Sequence, residues 1–369
     1  MEDLVAAHPG LCAFQLAGSY WNQASQLPDA DIDLRRFGSV DRNSPDARVA
    51  RGVALFEQGG RLVELAEWSF GDLDDPQSLS LRDAVSVVRA HPLWERGSWL
   101  SDRVANIRTQ LLDSGWRGRK LDEAFARCEV RLLQLRAENQ HLASLRTAPS
   151  AVTPASYFKH VFYTVVDELS GLISVLDFRP PSLARKALME ISDCLAAIQL
   201  SHITEAIYAA VGCADFGVTE CLGWRDELES LYAQSAMVNS RGVPKKSYYI
   251  TGITSMSVRG HSRAAAFPIW RGLDECMTAS ELLPPPWLSL PAEAEARAII
   301  VDQTEYRGLR RRIDNDLERL RIRLKFQTDS EIAARLDQSI LALSELRCHS
   351  EHLKAHLDER VTSWNALRS

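Results

Sequence analysis

The stretch "SYFKHVFYTVVDELSGLISVLDF", residues 156–178, decides the predicted fold. It is apolar on most of its faces when wound as an α-helix, and helices of that kind are buried by other helices. Similar periodicity occurs at 120–146, at 180–212 and in two segments at roughly 292–328 and 329–362. The sequence therefore predicts an all-α protein, a large helical bundle built around residues 156–178.

Two regions are expected along the chain. Residues 1–60 carry turn signals such as "LPDADIDL" and "DRNSPDARV" and are predicted to form short helices and loops, with no strand. The Pro/Ser/Ala-rich "TAPSAVTPAS" then separates an N-terminal helical region, 1–150, from a helical domain, 151–369, that is expected to hold the functional site. Within it, "NSRGVPKKSYYITGITSMSVRGHS" at 239–262 is predicted to be a loop.

Composition narrows the classes of function. The chain has 369 residues, 46% of them hydrophobic and 25% charged, which is ordinary for a folded globular protein. Its net charge of −6 argues against a general nucleic-acid binder. No signal peptide or membrane span is expected, and seven cysteines without CxxC spacing favour reduced thiols. We therefore expect a cytoplasmic protein with no nucleic-acid or membrane partner.

Three histidines are concentrated in "LRCHSEHLKAH", residues 346–356. On a helix, His349, His352 and His356 share one face. Spacing alone leaves three interpretations open: a solvated helix face, a zinc site, or one axial heme ligand with two neighbours. The HExxH pattern of zinc hydrolases is absent. A further histidine, His160, lies within the apolar helix, where a core histidine held by one hydrogen bond is the common outcome.

Four segments, in this order, resemble the heme superfamily of tryptophan and indoleamine 2,3-dioxygenases. They are "KALMEISDCLAAI" (186–198), "RDELESLYAQSAMVNSRGVPKKSYYITG" (225–252), "SMSVRGHSRAAAFPIWRGLDEC" (255–276) and "LALSELRCHSEHLKAHL" (341–357). The pattern is most similar to monodechloroaminopyrrolnitrin synthase and heme-dependent aromatic amino-acid hydroxylases. The resemblance implies a heme pocket in the C-terminal half and an oxygenase of bacterial secondary metabolism that uses O2 or peroxide on a small aromatic substrate.

The same resemblance implies roles for individual residues. The heme b iron would be held by His352, because "HLK" follows the family's proximal histidine, with His349 as the alternative. The distal and catalytic side would be formed by His160, Ser170 and Ser174. The substrate would be bound by a loop carrying Ser257, Arg259, His261 and Ser262. No glycine loop follows His352 in this sequence, so simple tryptophan dioxygenation is not expected.

A non-enzymatic alternative competes with the oxygenase. In that interpretation the chain is a helical interaction or scaffold protein whose charged C-terminal helices form an antiparallel hairpin. The histidines would then be surface residues, and the protein would have no affinity for heme. A homodimer is compatible with either interpretation.

Overall fold

The structure, a computed structural model, describes residues 11–17, 32–38, 53–58, 61–68, 71–145, 155–180, 186–238, 246–281 and 293–367. The strands are β1 (Leu11–Ala17), β2 (Ile32–Gly38), β3 (Val53–Gln58), β4 (Arg61–Trp68) and β5 (His91–Glu95). The first helices are α1 (Gly71–Asp74), α2 (Leu81–Val88), α3 (Trp99–Leu112), α4 (Ser114–Leu145), α5 (Ala155–Leu176) and α6 (Ala187–Ala197). The remaining helices are α7 (Ser201–Ala210), α8 (Val218–Val238), α9 (Lys246–Val258), α10 (Ala266–Glu281), α11 (Glu293–Arg323), α12 (Asp329–Cys348) and α13 (Ser350–Ala366).

The predicted helical bundle is confirmed, with α5 at its centre. The side chains of Phe158, Val161, Phe162, Val165 and Val166 are buried along one broad side of that helix, and every residue over 169–176 is buried. Helices α4, α6, α11, α12 and α13 all pack against it. This arrangement follows directly from the apolar character of the segment, because a helix that is apolar all round gains free energy only when other elements cover it.

The N-terminal region contains a sheet, so the expectation of short helices and loops without strands over residues 1–60 is wrong. Five strands are hydrogen-bonded in the order β3-β4-β2-β1-β5. Neighbours are antiparallel except β2 and β4, which are parallel. The strands escaped prediction because β1 is "LCAFQLA", a nearly continuous apolar run whose residues are mostly buried, and such a run shows no period of two.

The sheet is attached to the bundle through α2. The side chain of Gln15 donates to the carbonyl oxygen of Val87 at 3.2 Å, and Arg35 donates to that of Ser86 at 2.8 Å. Both acceptors lie at the C-terminal end of α2, whose carbonyl groups have no partner within the helix. The sheet face that carries Gln15 and Arg35 is therefore covered by this helix end.

Two further expectations are corrected. The segment 239–262 was expected to be a loop, yet α9 occupies Lys246–Val258 of it. Its Gly and Ser content lowers helix propensity, but Tyr249, Ile253 and Met256 are fully buried, and that packing outweighs local propensity.

The final helical segment, predicted to run unbroken over 329–362, is divided at His349 into α12 and α13.

Among the described residues, no helix has the length and apolarity needed to cross a membrane.

Candidate functional site

The three clustered histidines lie in three different environments. His349 is the residue at which α12 ends and α13 begins, and its ring lies 6.0 Å from that of His202. His352 is exposed, with Nε2 3.1 Å from the carbonyl oxygen of Ile198. His356 is largely buried, with Nε2 3.7 Å from Asp177 Oδ1. Burial lowers the pKa of His356, and the Asp177 carboxylate opposes that effect.

The surroundings of His352 do not suit an axial ligand. An axial histidine uses one ring nitrogen for iron and holds the other through a carbonyl or carboxylate. One ring nitrogen of His352, Nε2, does lie beside a carbonyl, that of Ile198 directly after α6, but the side chain is exposed to solvent rather than enclosed by apolar residues. Neither described cavity borders this histidine.

The predicted distal histidine lies at another level of the bundle. His160 Nε2 is 3.7 Å from Glu138 Oε2, and both side chains are more than 40% exposed. Lys354, two residues after His352, contacts Asp122 at 3.3 Å. Glu138 and Asp122 both lie on α4, sixteen residues apart, which corresponds to about 24 Å along the helix axis. His160 and the Lys354 that follows His352 therefore meet α4 at levels about 24 Å apart along its axis, a separation that does not favour His160 and His352 on the two sides of one heme iron.

The other predicted site residues do not converge on a pocket. Ser170 and Ser174 are buried within α5, roughly 15 and 21 Å along the helix from His160. Ser257 Oγ donates to the Ile253 carbonyl at 2.9 Å, within its own helix. The other residues predicted to form the substrate loop contact different parts of the chain. Ser262 Oγ donates to the Phe216 carbonyl, and His261 lies 3.9 Å from Asp193. Arg259 is exposed.

The predicted residues thus do not fit a heme. No set of three or more His, Cys, Asp or Glu side chains arranged for a metal ion occurs among those that the structure describes. The heme oxygenase assignment stays a prediction from the sequence resemblance.

A different constellation appears on the N-terminal sheet. The antiparallel register of β1 and β2 places Ala17 opposite Asp33, and the parallel register of β2 and β4 places Asp33 beside Glu64. Residues aligned in neighbouring strands share one face of a sheet, about 4.8 Å apart. Asp33 and Glu64 therefore occupy neighbouring positions on β2 and β4, near the end of β2 that lies beside the last residue of β1.

This alignment places two acidic positions side by side on adjacent strands. Like charges directly opposite one another on adjacent strands destabilise a sheet. On the other face, after Leu34 and Leu65, the aligned pair Arg36 and Glu67 has the opposite charges that usually stabilise strand pairing. The aligned acids Asp33 and Glu64 therefore stand out within an otherwise ordinary strand pair.

The sequence on either side of the strands adds functional groups. Gly18 and Ser19 directly follow β1, and Asp29 and Asp31 precede Asp33 at alternating positions in "DADID". These four residues lie outside the described ranges. Sequence reasoning missed this group because "LPDADIDL" was interpreted as a turn. The signal available was the period of two, with an aspartate at every second residue leading into "IDL".

Comparison with known proteins identifies no family. No family model matches the chain, and no curated protein matches it. Among solved structures, a nucleotidyltransferase-like protein from Exiguobacterium sibiricum 255-15 aligns over 83% of this chain and 87% of its own, with 12% sequence identity and a TM-score of 0.25. A likeness this weak supports no conclusion about fold or function.

Proposed function

We propose that this chain is a divalent-metal-dependent transferase acting on a nucleoside triphosphate, with its carboxylate centre on the N-terminal sheet. The observation that carries the proposal is the alignment of Asp33 with Glu64 on adjacent parallel strands. Carboxylate oxygens are the ligands that Mg²⁺ and Mn²⁺ prefer, and a metal would relieve the repulsion between the aligned acids.

The neighbouring sequence supports the same chemistry. Asp31 adds a third carboxylate two residues before Asp33, and sites for phosphoryl-type transfer commonly gather several carboxylates around two metal ions. A glycine directly after a strand allows the backbone to approach a phosphate closely. Gly18, followed by the small hydroxyl residue Ser19, occupies that position after β1.

The chemistry required of the residues is simple. An acceptor hydroxyl oxygen forms a bond to the attacked phosphorus, and the bond from that phosphorus to its leaving oxygen breaks. The leaving group departs with the bonding electrons, as pyrophosphate when the α-phosphorus is attacked and as the nucleoside diphosphate when the γ-phosphorus is attacked, while the acceptor proton passes to a carboxylate of the centre. Metal ions bound there would neutralise charge on the phosphate oxygens. The aspartate and glutamate would hold the ions and accept the proton.

Metal binding and activity can be tested separately. Mn²⁺ or Mg²⁺ at millimolar concentration should raise the melting temperature of the wild-type chain, since a ligand that binds only the folded state stabilises it. Asp33→Asn and Glu64→Gln should lose most of that rise. Glu67→Gln is the matched control, because it changes a carboxylate of the same strand on the opposite face.

Transfer is measured with ATP labelled at the α- or at the γ-phosphate, together with a metabolite extract as acceptor source. Label transfer from the α position identifies nucleotidyl transfer, and from the γ position phosphoryl transfer. Asp33→Asn should lower either rate by about a hundredfold or more, since removal of a metal ligand removes charge stabilisation in the transition state. Full activity in both Asp33→Asn and Glu64→Gln would refute the proposal.

A further inference from the structure

A surface groove lies between α8 and α11, far along the chain from the sheet. Its volume is about 500 Å³. It is lined by residues of the two helices: Glu220, Gly223, Trp224, Glu227, Arg319, Ile322 and Arg323. On α8 these residues recur every three or four positions, so they belong to one helix face.

Two ion pairs bound the groove at its ends. Arg323 forms a two-pronged pair with Glu220, with Nε–Oε1 and Nη2–Oε2 distances of 2.7 and 2.9 Å. Arg319 forms a similar pair with Glu227, at 2.7 and 3.1 Å. The planar guanidinium matches a carboxylate in this geometry, which fixes all four side chains more firmly than a single contact would.

The floor between the ion pairs is apolar and open. Trp224 is largely buried beneath it, while Ile322 is 48% exposed at its edge. Gly223 has no atom within 4 Å of the position that a Cβ would occupy. A glycine inside a helix costs roughly 1 kcal/mol relative to alanine, so this position retains open space at the expense of helix stability.

Arg319, at one end of the groove, also contacts a buried carboxylate that is only partly hydrogen-bonded. Asp316 is 95% buried, and its Oδ1 accepts from Arg319 Nη1 at 3.0 Å. Its Oδ2 has no hydrogen-bond partner among the described residues. Burial raises the pKa of Asp316, with the Glu227 carboxylate adding to the rise and Arg319 opposing it. Arg319 is therefore shared by two carboxylates, those of Asp316 and Glu227. The arginine that precedes it on α11, Arg312, donates to Ser230.

We infer that this groove binds a small organic cation, an ammonium or guanidinium group carried on an apolar body. The Arg319 guanidinium carbon lies 5.0 Å from the Trp224 ring centroid, so this ring already accommodates a planar cation. A ligand cation at the same end would add positive charge beside Glu227 and Asp316. Its apolar body would cover Trp224 and Ile322 in the space above Gly223.

The inference is tested on the full chain with 2-phenylethylamine and 2-phenylethylguanidine as probes and 2-phenylethanol as the uncharged counterpart. Binding is measured by calorimetric titration. Both cations should bind about tenfold or more tightly than the alcohol, since the charge contributes at least 1.4 kcal/mol by cation–π and carboxylate contacts. Equal affinity for cation and alcohol, or no binding at millimolar concentration, would overturn the inference.

Two variants locate the site. Gly223→Leu places a side chain in the groove, from a Cβ position with no atom within 4 Å, and should weaken cation binding about tenfold or more. Gly308→Leu is the matched control: this glycine of α11 also has open space around its Cβ position but lies outside the groove, so affinity should not change. Asp316→Asn should weaken binding about threefold to tenfold, because it removes a negative charge near the cation. Equal loss in the two leucine variants would assign the binding elsewhere.

Discussion

At the scale of single residues, Glu190 has the environment most relevant to stability. It is 92% buried at the start of α6, and its Oε2 has no hydrogen-bond partner within the described parts of the chain. Burial raises its pKa from 4.5 to about 7, with Lys186 and Arg179 opposing the rise and Asp193 and Asp177 adding to it. Its charged form is therefore disfavoured in the folded protein.

This pKa predicts how stability changes with pH. Below pH 4.5 Glu190 is protonated in both states and has no effect. Between about pH 4.5 and 7 the unfolded chain releases the proton first, so the free energy of unfolding falls as pH rises. Glu190→Gln should remove that fall, which amounts to about 3 kcal/mol. Urea unfolding at several pH values measures it. Glu205→Gln, an exposed carboxyl paired with Arg263, should keep the fall.

The histidines show what sequence spacing predicts at this scale and what it does not. Their placement close together along the chain is visible in "LRCHSEHLKAH", but their partners come from distant segments: Ile198 for His352, His202 for His349 and Asp177 for His356. Spacing along one helix fixes which residues share a face. It does not fix which other elements that face meets, and those partners determine the chemistry of each ring.

At the scale of elements, the hydrogen bonds and backbone conformation at the helix ends determine several turns. Helix α7 ends in a Schellman motif: Cys213 N–H donates to the Tyr208 carbonyl and Gly212 N–H to that of Ala209. Gly212 has φ +76°, and a Cβ there would lie 2.0 Å from the Leu324 carbonyl oxygen at the end of α11. Two helix ends thus meet at a point where only glycine fits.

Gly212→Ala should therefore lower the free energy of unfolding by about 3 kcal/mol or more, from left-handed strain plus displacement of α11. Gly260→Ala is the matched control. That glycine also has positive φ, +81°, but nothing lies within 4 Å of its Cβ position, so the loss should be only about 1 kcal/mol. Urea unfolding of both variants separates the cost of left-handed strain from the cost of the close approach to Leu324. Equal losses of unfolding free energy in the two variants would show that the approach to Leu324 does not affect stability.

The same motif explains which boundaries the sequence could predict. A glycine marks the ends of α7 and α9, but the corresponding positions after α5, α6 and α11 are Phe178, Gln199 and Lys325, all with positive φ. Left-handed backbone at such residues is held by the surrounding packing and leaves no sequence signal. The long apolar helix α5 was predictable in position, whereas these three ends and the uniformly apolar strand β1 were not.

At the scale of the whole molecule, the proposed centre depends on contacts between distant segments. Asp33 and Glu64 are brought together by the parallel pairing of β2 with β4, although β3 lies between them in sequence and pairs at the outer edge. Periodicity is a local property, so it predicts a helix or a strand but not the register of two strands. The family resemblance predicts a functional site after residue 150, whereas the carboxylate centre proposed here belongs to the N-terminal region.

Whole-molecule architecture also bears on the heme site that the sequence resemblance predicts. The C-terminal helix α13 is fixed against α3 and α4 by Arg108 with Asn365 and by Arg117 with Asp358, which holds His352 toward Ile198 and away from the level of His160. Forming a heme site would require these contacts to break. We therefore expect no histidine-ligated Soret band when hemin is added to the purified chain.

The measurement is an absorption spectrum of wild type, His352→Ala and His349→Ala, each titrated with hemin. All three should give the same spectrum of weakly associated hemin, because Nε2 of His352 faces a backbone carbonyl and His349 lies beside His202. A ligated Soret band in wild type that is lost in one alanine variant would support the oxygenase instead. It would also show that α13 can detach from α4, since in the folded arrangement His160 and Lys354 contact α4 at levels about 24 Å apart.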